Sequence, residues 1–396
     1  MGQLRFLTAG ESHGKGLVAI IEGIVAGLPI SEDYIARDLQ RRQAGYGRSA
    51  RMKIEHDKAE IMSGVRQGVT IGSPISLLIW NKVWEDWRDV MSVGPAKKKI
   101  EPVTTPRPGH ADLAGIVKYG VGDIRLILER ASARETAARV AIGAVARRFL
   151  DEFGIFIHSH TVSIGQHSVK AEKSIDWQKA EKSPLRCTDA DTEKLMMAAI
   201  DEAKAEGDTL GGIFELIATG VPIGLGSHAH WDRRLNGQIA QAVASVPAVK
   251  GVEIGMGYIT ATKGSKAQDV IQAASRGAPT PWRRATNNAG GIEGGMSNGE
   301  PIIVRAAVKP VATLGKPLPS IDLRTGKGAE AHYERSDICV VPAAGVIGEA
   351  MLAFVLANAM LEKFGGDNLK ETTANYKNYL NSINAENRYA ESTRKK

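Results

Sequence analysis

Two histidines of this chain stand in loop segments that favour acid–base chemistry. His13 lies in the glycine-flanked segment 10–14, and His110 follows Arg107 in the proline-rich segment 106–110. Imidazole exchanges protons near neutral pH, and prolines hold a loop in a defined conformation. His110, beside an arginine, is therefore a candidate general acid or base. For His13 the local sequence by itself favours an ordinary surface turn.

A cluster of five arginines stands at the end of a predicted helix and just beyond it: Arg37, Arg41, Arg42, Arg48 and Arg51. The dipole of a helix stabilises basic residues near its C-terminus, which explains some of them. Arg48 and Arg51 follow Gly47, where that effect explains little. The planar guanidinium group binds carboxylate or phosphate with two hydrogen bonds. Part of this cluster is therefore predicted to bind an anion.

A second arginine pair flanks a predicted helix start. Ser132 and Glu135 match the S-x-x-E capping box, with Arg130 before it and Arg134 inside it. Free backbone N–H groups, the positive end of the helix dipole and two guanidinium groups would converge there. We predict an anion site at this position. A capped helix with two exposed arginines is the alternative.

Other patterns predict no further site. Segment 10–16 resembles a phosphate-binding P-loop but is one residue short, and Gly16 replaces the Ser or Thr that holds magnesium. The sequence contains no strand-GxGxxG-helix pattern, so a Rossmann nucleotide site is not predicted. His228 and His230 could lie on one side of a strand, but no third ligand stands close to them in the sequence. We therefore predict no metal.

Composition limits the partners and the compartment. The net charge of +7 is compatible with nucleic acid, acidic lipid or acidic small molecules. Aromatic residues make up only 5%, and no nucleic-acid-binding module is recognisable, so we predict no nucleic-acid partner. Two distant cysteines, Cys187 and Cys339, indicate a reducing compartment, and the N-terminus has no long apolar run. We expect a cytoplasmic location.

These candidates must be positioned by a mixture of helices and strands. Capping signals and apolar periodicity predict helices over 31–43, 131–153 and 345–364. Alternating apolar residues predict strands over 155–164, 212–221, 251–256 and 302–308. The two types interleave without a regular βαβ order, and several strands are amphipathic. This predicts an α+β fold, a layered β-α-β sandwich with largely antiparallel sheets around central helices.

The chain is predicted to form one large domain with a tail. No Pro/Ser-rich linker divides it, so we predict a single catalytic domain over 1–367. Residues 368–396 are polar and are expected to form a helical or loose tail. The apolar stretch 340–361 contains Pro342 and Glu349 and is interpreted as a buried core helix, so no membrane partner is predicted.

Three motifs in order resemble those of the chorismate synthase family. Segment 10–14 is similar to the family's first motif, and segment 130–136 is similar to its second. Arg335, Ser336 and Asp337, followed by an apolar helix, are similar to its third. The resemblance covers nearly the whole chain. A different flavin- or phosphate-using lyase on the same scaffold is the rival, but these motifs include the proposed acid–base groups.

The resemblance implies a reaction and its requirements. Members of this family eliminate phosphate and a C6 proton from 5-enolpyruvylshikimate 3-phosphate in a 1,4-anti elimination that gives chorismate in the shikimate pathway. They require reduced FMN although the reaction has no net redox change, and they are homotetramers. Some members reduce their own flavin with NADPH and carry insertions. No inserted block is evident here, so we expect an external source of reduced flavin, a flavin reductase or an NADPH system.

The resemblance also implies roles for individual residues. The catalytic group would comprise His13, which acts at the leaving phosphate, His110 near the flavin, and Asp337 in proton handling. The substrate anions would be bound by arginines, namely Arg42, Arg48, Arg51, Arg107 and Arg134. Contacts to FMN would come from Arg130, Ala131, Ser132, Pro247, Ala248, Gly294, Lys309, Pro310, Val311, Ala312, Thr313 and Arg335.

Overall fold

The computed structural model describes residues 4–49, 56–96, 98–170, 174–257, 262–275 and 280–393. Its helices are α1 (Glu32–Gln43), α2 (Trp84–Trp87), α3 (Asp112–Tyr119), α4 (Arg125–Ala131), α5 (Thr136–Asp151), α6 (Trp177–Lys182), α7 (Ala190–Glu206), α8 (Leu235–Ala244), α9 (Gly264–Ala267), α10 (Val341–Phe364) and α11 (Leu369–Thr393). Short 3₁₀ turns span Ala133–Glu135 and Trp231–Arg233.

The strands are mostly short. They are β1 (Arg5–Ala9), β2 (Gly16–Glu22), β3 (Glu60–Ile61), β4 (Val65–Arg66), β5 (Val69–Thr70), β6 (Ile75–Trp80), β7 (Phe156–Ile164), β8 (His167–Ser168), β9 (Gly212–Thr219), β10 (Val249–Ile254), β11 (Ile271–Ala273), β12 (Trp282–Arg284), β13 (Ile292–Glu293), β14 (Met296–Ser297), β15 (Ile302–Val308), β16 (Pro319–Ile321) and β17 (Gly328–Glu330).

Two larger antiparallel sheets carry most of these strands. The first has the order β1-β2-β6-β3, and the second has the order β10-β15-β9-β7-β8. In β2, Leu17, Ala19 and Ile21 are buried while Val18 and Ile20 are exposed, because successive side chains of a strand point to opposite faces. The α+β class predicted from the sequence is confirmed.

Three helices, α1, α5 and α10, pack together in the core beside the strands of the two larger sheets. Helix α5 contacts β2 and β6 of the first sheet and β7 of the second, and it packs on α1 and α10. Helix α10 also contacts β7 and β9. Gly143 of α5 permits this close approach, because a Cβ atom there would lie 2.2 Å from the Cβ of Ala350.

The predicted strands and two of the three predicted helices are confirmed within a few residues. Ser31 caps α1 by accepting a hydrogen bond from the Tyr34 N–H. The apolar helix begins at Val341, four residues earlier than predicted, with Pro342 in its first turn, where proline is tolerated. This helix is long and apolar enough to cross a membrane, but most of it is buried in the protein, as predicted for a core helix.

The prediction of one continuous helix over 131–153 is wrong. Helix α4 ends at Ala131, a 3₁₀ turn follows, and α5 begins only at Thr136. Ser132 does cap the turn, accepting a hydrogen bond from the Arg134 N–H. The Glu135 carboxylate instead pairs with Arg139, 2.9 Å away, so the predicted capping box is not the contact that forms.

The polar C-terminal segment forms a helix that packs on the rest of the chain. In α11, Thr372 is fully buried and the Tyr376 ring meets Phe364 edge-on. The Tyr379 hydroxyl donates to the carbonyl of Ile223. The first three turns of α11 are thus attached by specific contacts, and the alternative of a loose tail is not what this part of the segment adopts.

Candidate active site

His13 lies on the loop between β1 and β2 and is held by a buried carboxylate of α4. Its backbone N–H donates to Glu129 Oε2 at 2.8 Å, and its Nδ1 lies 2.9 Å from Glu129 Oε1. The imidazole stacks on the ring of Trp87, with centroids 4.0 Å apart. These contacts fix the position and the plane of the imidazole. A histidine of an ordinary surface turn would not need such contacts.

The Glu129 carboxylate is part of a longer chain of charges. Arg125 donates to Glu129 at 2.9 Å and to Glu334 at 3.2 Å, and His332 lies 3.0 Å from Glu334. Burial opposes ionisation of Glu334, but His332 and Arg125 outweigh it and lower its pKa to about 2. This series of ion pairs connects the segment before the third motif to α4, the helix on which the second motif begins.

The first two motifs also touch directly. The hydroxyls of Ser12 and Ser132 lie 3.2 Å apart, and the Ser12 N–H donates to the carbonyl of Glu129. Arg130 is exposed, but its guanidinium donates to the carbonyls of Thr8 and Gly10. The second motif therefore lies against the loop that carries His13.

Arg134 and Arg42 turn inward rather than toward solvent. Arg134 Nη1 lies 2.6 Å from Asp57 Oδ1, and its Nε donates to Asn81. Arg42 Nε donates to Thr136. Complete burial, opposed by Asp57 but assisted by the neighbouring Arg134, lowers the pKa of Arg42 to about 10. At the helix start where we predicted an anion site, the carboxylate of Asp57 therefore already binds Arg134.

Arg48 joins the arginine cluster to the third motif. Its Nη1 lies 3.4 Å from Asp337 Oδ2, and the Ser49 N–H donates to Asp337 Oδ1 at 2.6 Å. Arg48 Nε and Arg42 Nη1 are buried without a hydrogen-bond partner among the described residues. Since buried donors are normally paired, Arg48 Nε indicates a place where an acceptor can bind, whereas Arg42 Nη1 already lies 3.6 Å from Asp57 Oδ2.

The other members of the arginine cluster do not lie at this place. Arg41 pairs with Glu349 and Glu181 on another side of α1, and Arg37 lies over the ring of Tyr34. Arg51 lies outside the described residues. Of the five arginines, the structure therefore places Arg42 and Arg48 near the motifs.

His110, Arg107 and Asp112 form a compact group at the start of α3. The fully buried Asp112 carboxylate accepts from Arg107 Nε at 2.8 Å and lies 2.5 Å from His110 Nδ1. Burial raises the pKa of Asp112, but His110 and Arg107 outweigh this and hold it well below its usual range. Arg107 Nη2 also lies 2.9 Å from His110 Nδ1 and 3.5 Å from its Nε2, so Asp112 and Arg107 together hold the imidazole in place.

A cavity of about 700 Å³ opens beside this group, and Arg107, Gly109, His110, Leu113, Val117 and Ile321 line it. Lys309 reaches it by donating from Nζ to the carbonyl of Gly109 at 3.0 Å. Arg107 Nη1 donates to Thr313 Oγ1, and Ser336 donates to the Thr313 carbonyl. The segment 309–313 thus connects the His110 group to the third motif.

Not every predicted residue lies at these groups. Ala248 is adjacent to segment 309–313, since its carbonyl accepts from the Lys309 N–H, and Pro247 precedes it. Gly294 lies in the β13–β14 hairpin, and no described contact connects it to His13 or His110. Arg335 is exposed and makes no described hydrogen bond. His228 and His230 lie in a bend rather than on a strand, and His230 pairs with Asp232.

Several residues that shape the site were not singled out in the sequence. They are buried or aromatic partners of the predicted groups: Asp57, Trp87, Asp112, Arg125 and Glu129. Asp112 follows His110 by two residues, and this spacing is a local signal that was available. Arg125 and Glu129 have the i,i+4 spacing of a helical ion pair, which is also a local signal. Asp57, Trp87 and Glu129 stand far from Arg134 and His13 in sequence, so no local pattern indicates those contacts.

Comparison with known proteins decides the family. The sequence model of the chorismate synthase family matches residues 4–361, nearly the whole chain. The chain belongs to the chorismate synthase family. The resemblance carried by the three motifs is thereby confirmed, as is the predicted enzyme class, a lyase.

Individual members of the family match this chain over nearly their full length. A chorismate synthase of Solibacter usitatus is 54% identical over 389 residues, covering 96% of this chain and 99% of its own. A chorismate synthase of Aquifex aeolicus is 53% identical over 394 residues, covering 96% and 98%. A crystal structure of chorismate synthase superposes with a TM-score of 0.78 at 45% identity, covering 97% of this chain and 99% of that one.

Proposed function

We propose that this member of the chorismate synthase family eliminates phosphate and the C6 proton from 5-enolpyruvylshikimate 3-phosphate to give chorismate, with reduced FMN bound. One observation carries the proposal beyond family membership. The first two motifs, far apart in the sequence, are in contact, and Glu334, next to the third motif, is joined to them through Arg125 and Glu129. Each of the two candidate histidines has a buried carboxylate at Nδ1. Such an arrangement holds both imidazoles in defined positions.

The arginines match the charge of this substrate, which carries two carboxylates and a phosphate. Arg107 lines the cavity, and Arg48 Nε, buried without a hydrogen bond among the described residues, can donate to an anion. Arg42 Nη1 lies 3.6 Å from Asp57 Oδ2 and would have to share its charge with it. Arg134 binds Asp57 and Asn81 and so connects the start of α5 to the segments that carry these two residues. Its direct contact with substrate, like that of Arg51, stays a prediction.

The residues around the His110 cavity fit an anionic, largely planar cofactor such as FMN. Leu113, Val117 and Ile321 offer apolar walls, and Gly109 leaves room that a Cβ atom would fill, 3.4 Å from Lys309 Nζ. Reduced FMN, when bound, supplies electron density that favours departure of the phosphate. Lys309, Arg107 and His110 would balance its negative charge.

The proton movements are assigned to the chain's own side chains. His13, with Nδ1 held by Glu129, would donate a proton from Nε2 to the leaving phosphate. Asp337, fixed by Arg48 and the Ser49 N–H, would take part in moving the C6 proton. The Trp87 ring covers the His13 imidazole and helps to exclude water from it.

The remaining expectations stay proposals with partial support. Helix α5 touches both larger sheets, which supports a layered β-α-β sandwich around central helices within one domain over 1–367. Exposed apolar side chains on the outer face of the first sheet, such as Leu7 and Trp80, support an interface between subunits, and we propose a homotetramer. We also propose a cytoplasmic location and an external source of reduced FMN.

An anaerobic assay with 5-enolpyruvylshikimate 3-phosphate and chemically reduced FMN tests the function. We expect phosphate and chorismate to form in equal amounts, because the elimination yields one of each. With oxidised FMN and NADPH alone we expect no product, since the flavin would then lack a reductase. A folded, FMN-saturated protein that releases no phosphate would contradict the function, and turnover with NADPH alone would contradict the need for an external reductase.

Replacing Gly109 by alanine is expected to weaken FMN binding about tenfold. At φ +76°, alanine costs about 1 kcal/mol, and its methyl group would take up space at the cavity, in van der Waals contact with Lys309 and Ala312. Gly120→Ala is the matched control, because Gly120 has φ +65° and open space around it. Flavin fluorescence titration should show a raised Kd only for Gly109→Ala. Equal Kd values in the two variants would count against FMN in this cavity.

A further inference from the structure

The connection between helix α7 and strand β9, residues 207–211, lies between two segments of the candidate site. On one side, the Lys316 N–H donates to the carbonyl of Gly207 at 3.0 Å. On the other side, the Leu210 N–H donates at 2.8 Å to the carbonyl of Ile338, which directly follows the third motif. We call residues 207–211 the brace, because they join the segment that ends at Lys316 to the third motif.

Thr209 lies in the middle of the brace and adds a side-chain contact to the first of these segments. Its hydroxyl donates to the carbonyl of Val311 at 2.8 Å, and only 5% of Thr209 is exposed. A hydroxyl buried to this extent is normally paired, and here its partner is the backbone of segment 309–313. Because Val311 is the middle residue of that segment, Thr209 fixes the course of its backbone.

Two glycines allow the brace to lie directly against the same stretch of backbone. A Cβ atom at Gly207 would be 2.9 Å from the nitrogen of Lys316, and one at Gly211 would be 2.3 Å from the carbonyl oxygen of Val308. Side chains at these positions would force the two stretches of backbone apart. The brace therefore has backbone contacts at both ends and a side-chain contact at its centre, and it can set the position of segment 309–313.

Segment 309–313 in turn supports the loop that lines the cavity proposed for FMN. Lys309 Nζ donates to the carbonyl of Gly109 at 3.0 Å, and Thr313 Oγ1 accepts from Arg107 Nη1 at 3.1 Å. Gly109 and Arg107 both line the cavity. A shift of the segment would therefore move the hydrogen-bond donors and the wall of that cavity.

We propose that Thr209 is a positioning residue for FMN, acting through Val311 and segment 309–313. By fixing this segment before the cofactor arrives, the brace reduces the ordering that binding would otherwise have to impose. This effect requires no contact between Thr209 and the cofactor. The inference rests on the proposed function, in which FMN occupies this cavity.

The Thr209→Val variant tests this role, because valine has nearly the same shape as threonine but no hydroxyl. We expect the Kd for oxidised FMN, measured by flavin fluorescence titration, to rise about 3- to 10-fold, since one hydrogen bond that orders the segment is lost. Thr209→Ser keeps the hydroxyl and should restore most of the affinity. A rise of less than about threefold in Thr209→Val, or an equal rise in Thr209→Ser, would overturn the proposal.

A second buried threonine provides the matched control. Thr161 on β7 is fully buried, and its hydroxyl donates to the carbonyl of Leu185 at 2.6 Å. Thr161→Val removes the same type of hydrogen bond outside the brace and outside segment 309–313, and it should leave the Kd for FMN unchanged. If both valine variants raise the Kd alike, the effect follows from a general loss of stability, and the positioning role is wrong. The thermal midpoints of the variants show whether each one folds.

Gly207→Ala displaces the segment without removing the hydroxyl. Gly207 has φ +74°, and the new methyl group would lie 2.9 Å from the backbone nitrogen of Lys316. Gly154→Ala is its control, because Gly154 has φ +70° and open space around it, so the backbone cost is similar. We expect the Kd for FMN to rise at least about threefold in Gly207→Ala only. Equal Kd values in the two variants would overturn the proposal, since a displaced segment would then have no effect on the cofactor.

Hydrogen exchange of the wild-type protein measures the brace without any variant. If the brace holds the segment before FMN binds, the amide hydrogens of Leu210 and Lys316 should already exchange slowly in the FMN-free protein. Saturation with FMN should then slow the exchange of both by less than about tenfold. A larger slowing would mean that FMN, and not the brace, orders the segment, and it would overturn the proposal.

Failure of the proposed reaction and failure of the brace give different results. Wild-type protein that binds FMN but releases no phosphate would refute the reaction and leave the role of Thr209 intact. Normal turnover of the wild type together with an unchanged Kd in Thr209→Val would refute only the role of Thr209. Wild-type protein that binds no FMN would refute both.

Discussion

The His110→Ala variant is expected to turn over at least about 100-fold more slowly than the wild type while keeping its fold. His110 lines the cavity, and Asp112 and Arg107 hold its ring in place, so the variant removes an imidazole from the proposed FMN site. It also leaves Asp112 with Arg107, a charge pair that remains satisfied. Anaerobic turnover with reduced FMN and the thermal midpoint measure the two parts of this expectation.

The chain contains a matched control for this variant. His230 also lies beside an aspartate two residues later, with Nδ1 2.6 Å from Asp232, but its side chain is 62% exposed. His230→Ala should therefore keep the activity of the wild type. Turnover of His110→Ala within about threefold of His230→Ala would mean that His110 has no part in the reaction.

The comparison of these two histidines shows how far the sequence could predict the site. Both have the pattern His-x-Asp, and nothing in the three letters separates a buried group from an exposed one. Asp112 is buried because α3 starts there and Arg107 folds back on it, whereas Asp232 lies on an exposed 3₁₀ turn. The proline-rich context made His110 the candidate, but its burial beside Asp112 is a tertiary property that the context does not contain.

The arginine cluster shows the same limit. Arg41 and Arg42 are neighbours in α1, and a helix rotates by about 100° per residue, so they point to different surroundings. Arg42 faces the motif residues, and Arg41 faces Glu349. The sequence indicates an anion site among the arginines, but only the packing of α1 decides which of them contribute.

The sequence predicts secondary structure best where the local apolar pattern decides the conformation and no distant partner intervenes. The strand 302–308 has clean alternation and was placed correctly, because its side chains pack on two distinct faces. The helix predicted over 131–153 is interrupted because Ser132 and Arg134 bind Ser12 and Asp57. These partners lie more than 75 residues away, and no local propensity contains them.

Replacing Glu349 by glutamine is expected to lower the free energy of unfolding by about 3–5 kcal/mol. Glu349 lies in the middle of α10 with no exposed surface, and it accepts hydrogen bonds from three arginines, Arg41, Arg147 and Arg186. Glutamine has one acceptor oxygen and no charge, so buried guanidinium groups lose their counter-ion. Urea unfolding at pH 7 measures the difference.

Glu181→Gln is the matched control, because Glu181 pairs with Arg41 and Arg186 too, but its side chain is 43% exposed. Water can replace its contacts, so we expect a loss of no more than about 1 kcal/mol. A similar loss in both variants would mean that burial of Glu349 adds nothing to its contribution.

The pH dependence of stability gives an independent measure of the Glu349 contribution. Burial raises the pKa of Glu349, but Arg41, Arg147 and Arg186 outweigh it and hold the pKa well below its usual range. A depressed folded-state pKa means that the stabilisation is fully present above the unfolded value, about 4.3, and is lost as the pH falls below it. Between about pH 5 and pH 3 the wild type should therefore lose stability more steeply than Glu349→Gln, so the two should converge in acid. Parallel curves over this range would show that Glu349 takes up its proton equally readily in the folded and unfolded chains, and would refute a charge held by three arginines.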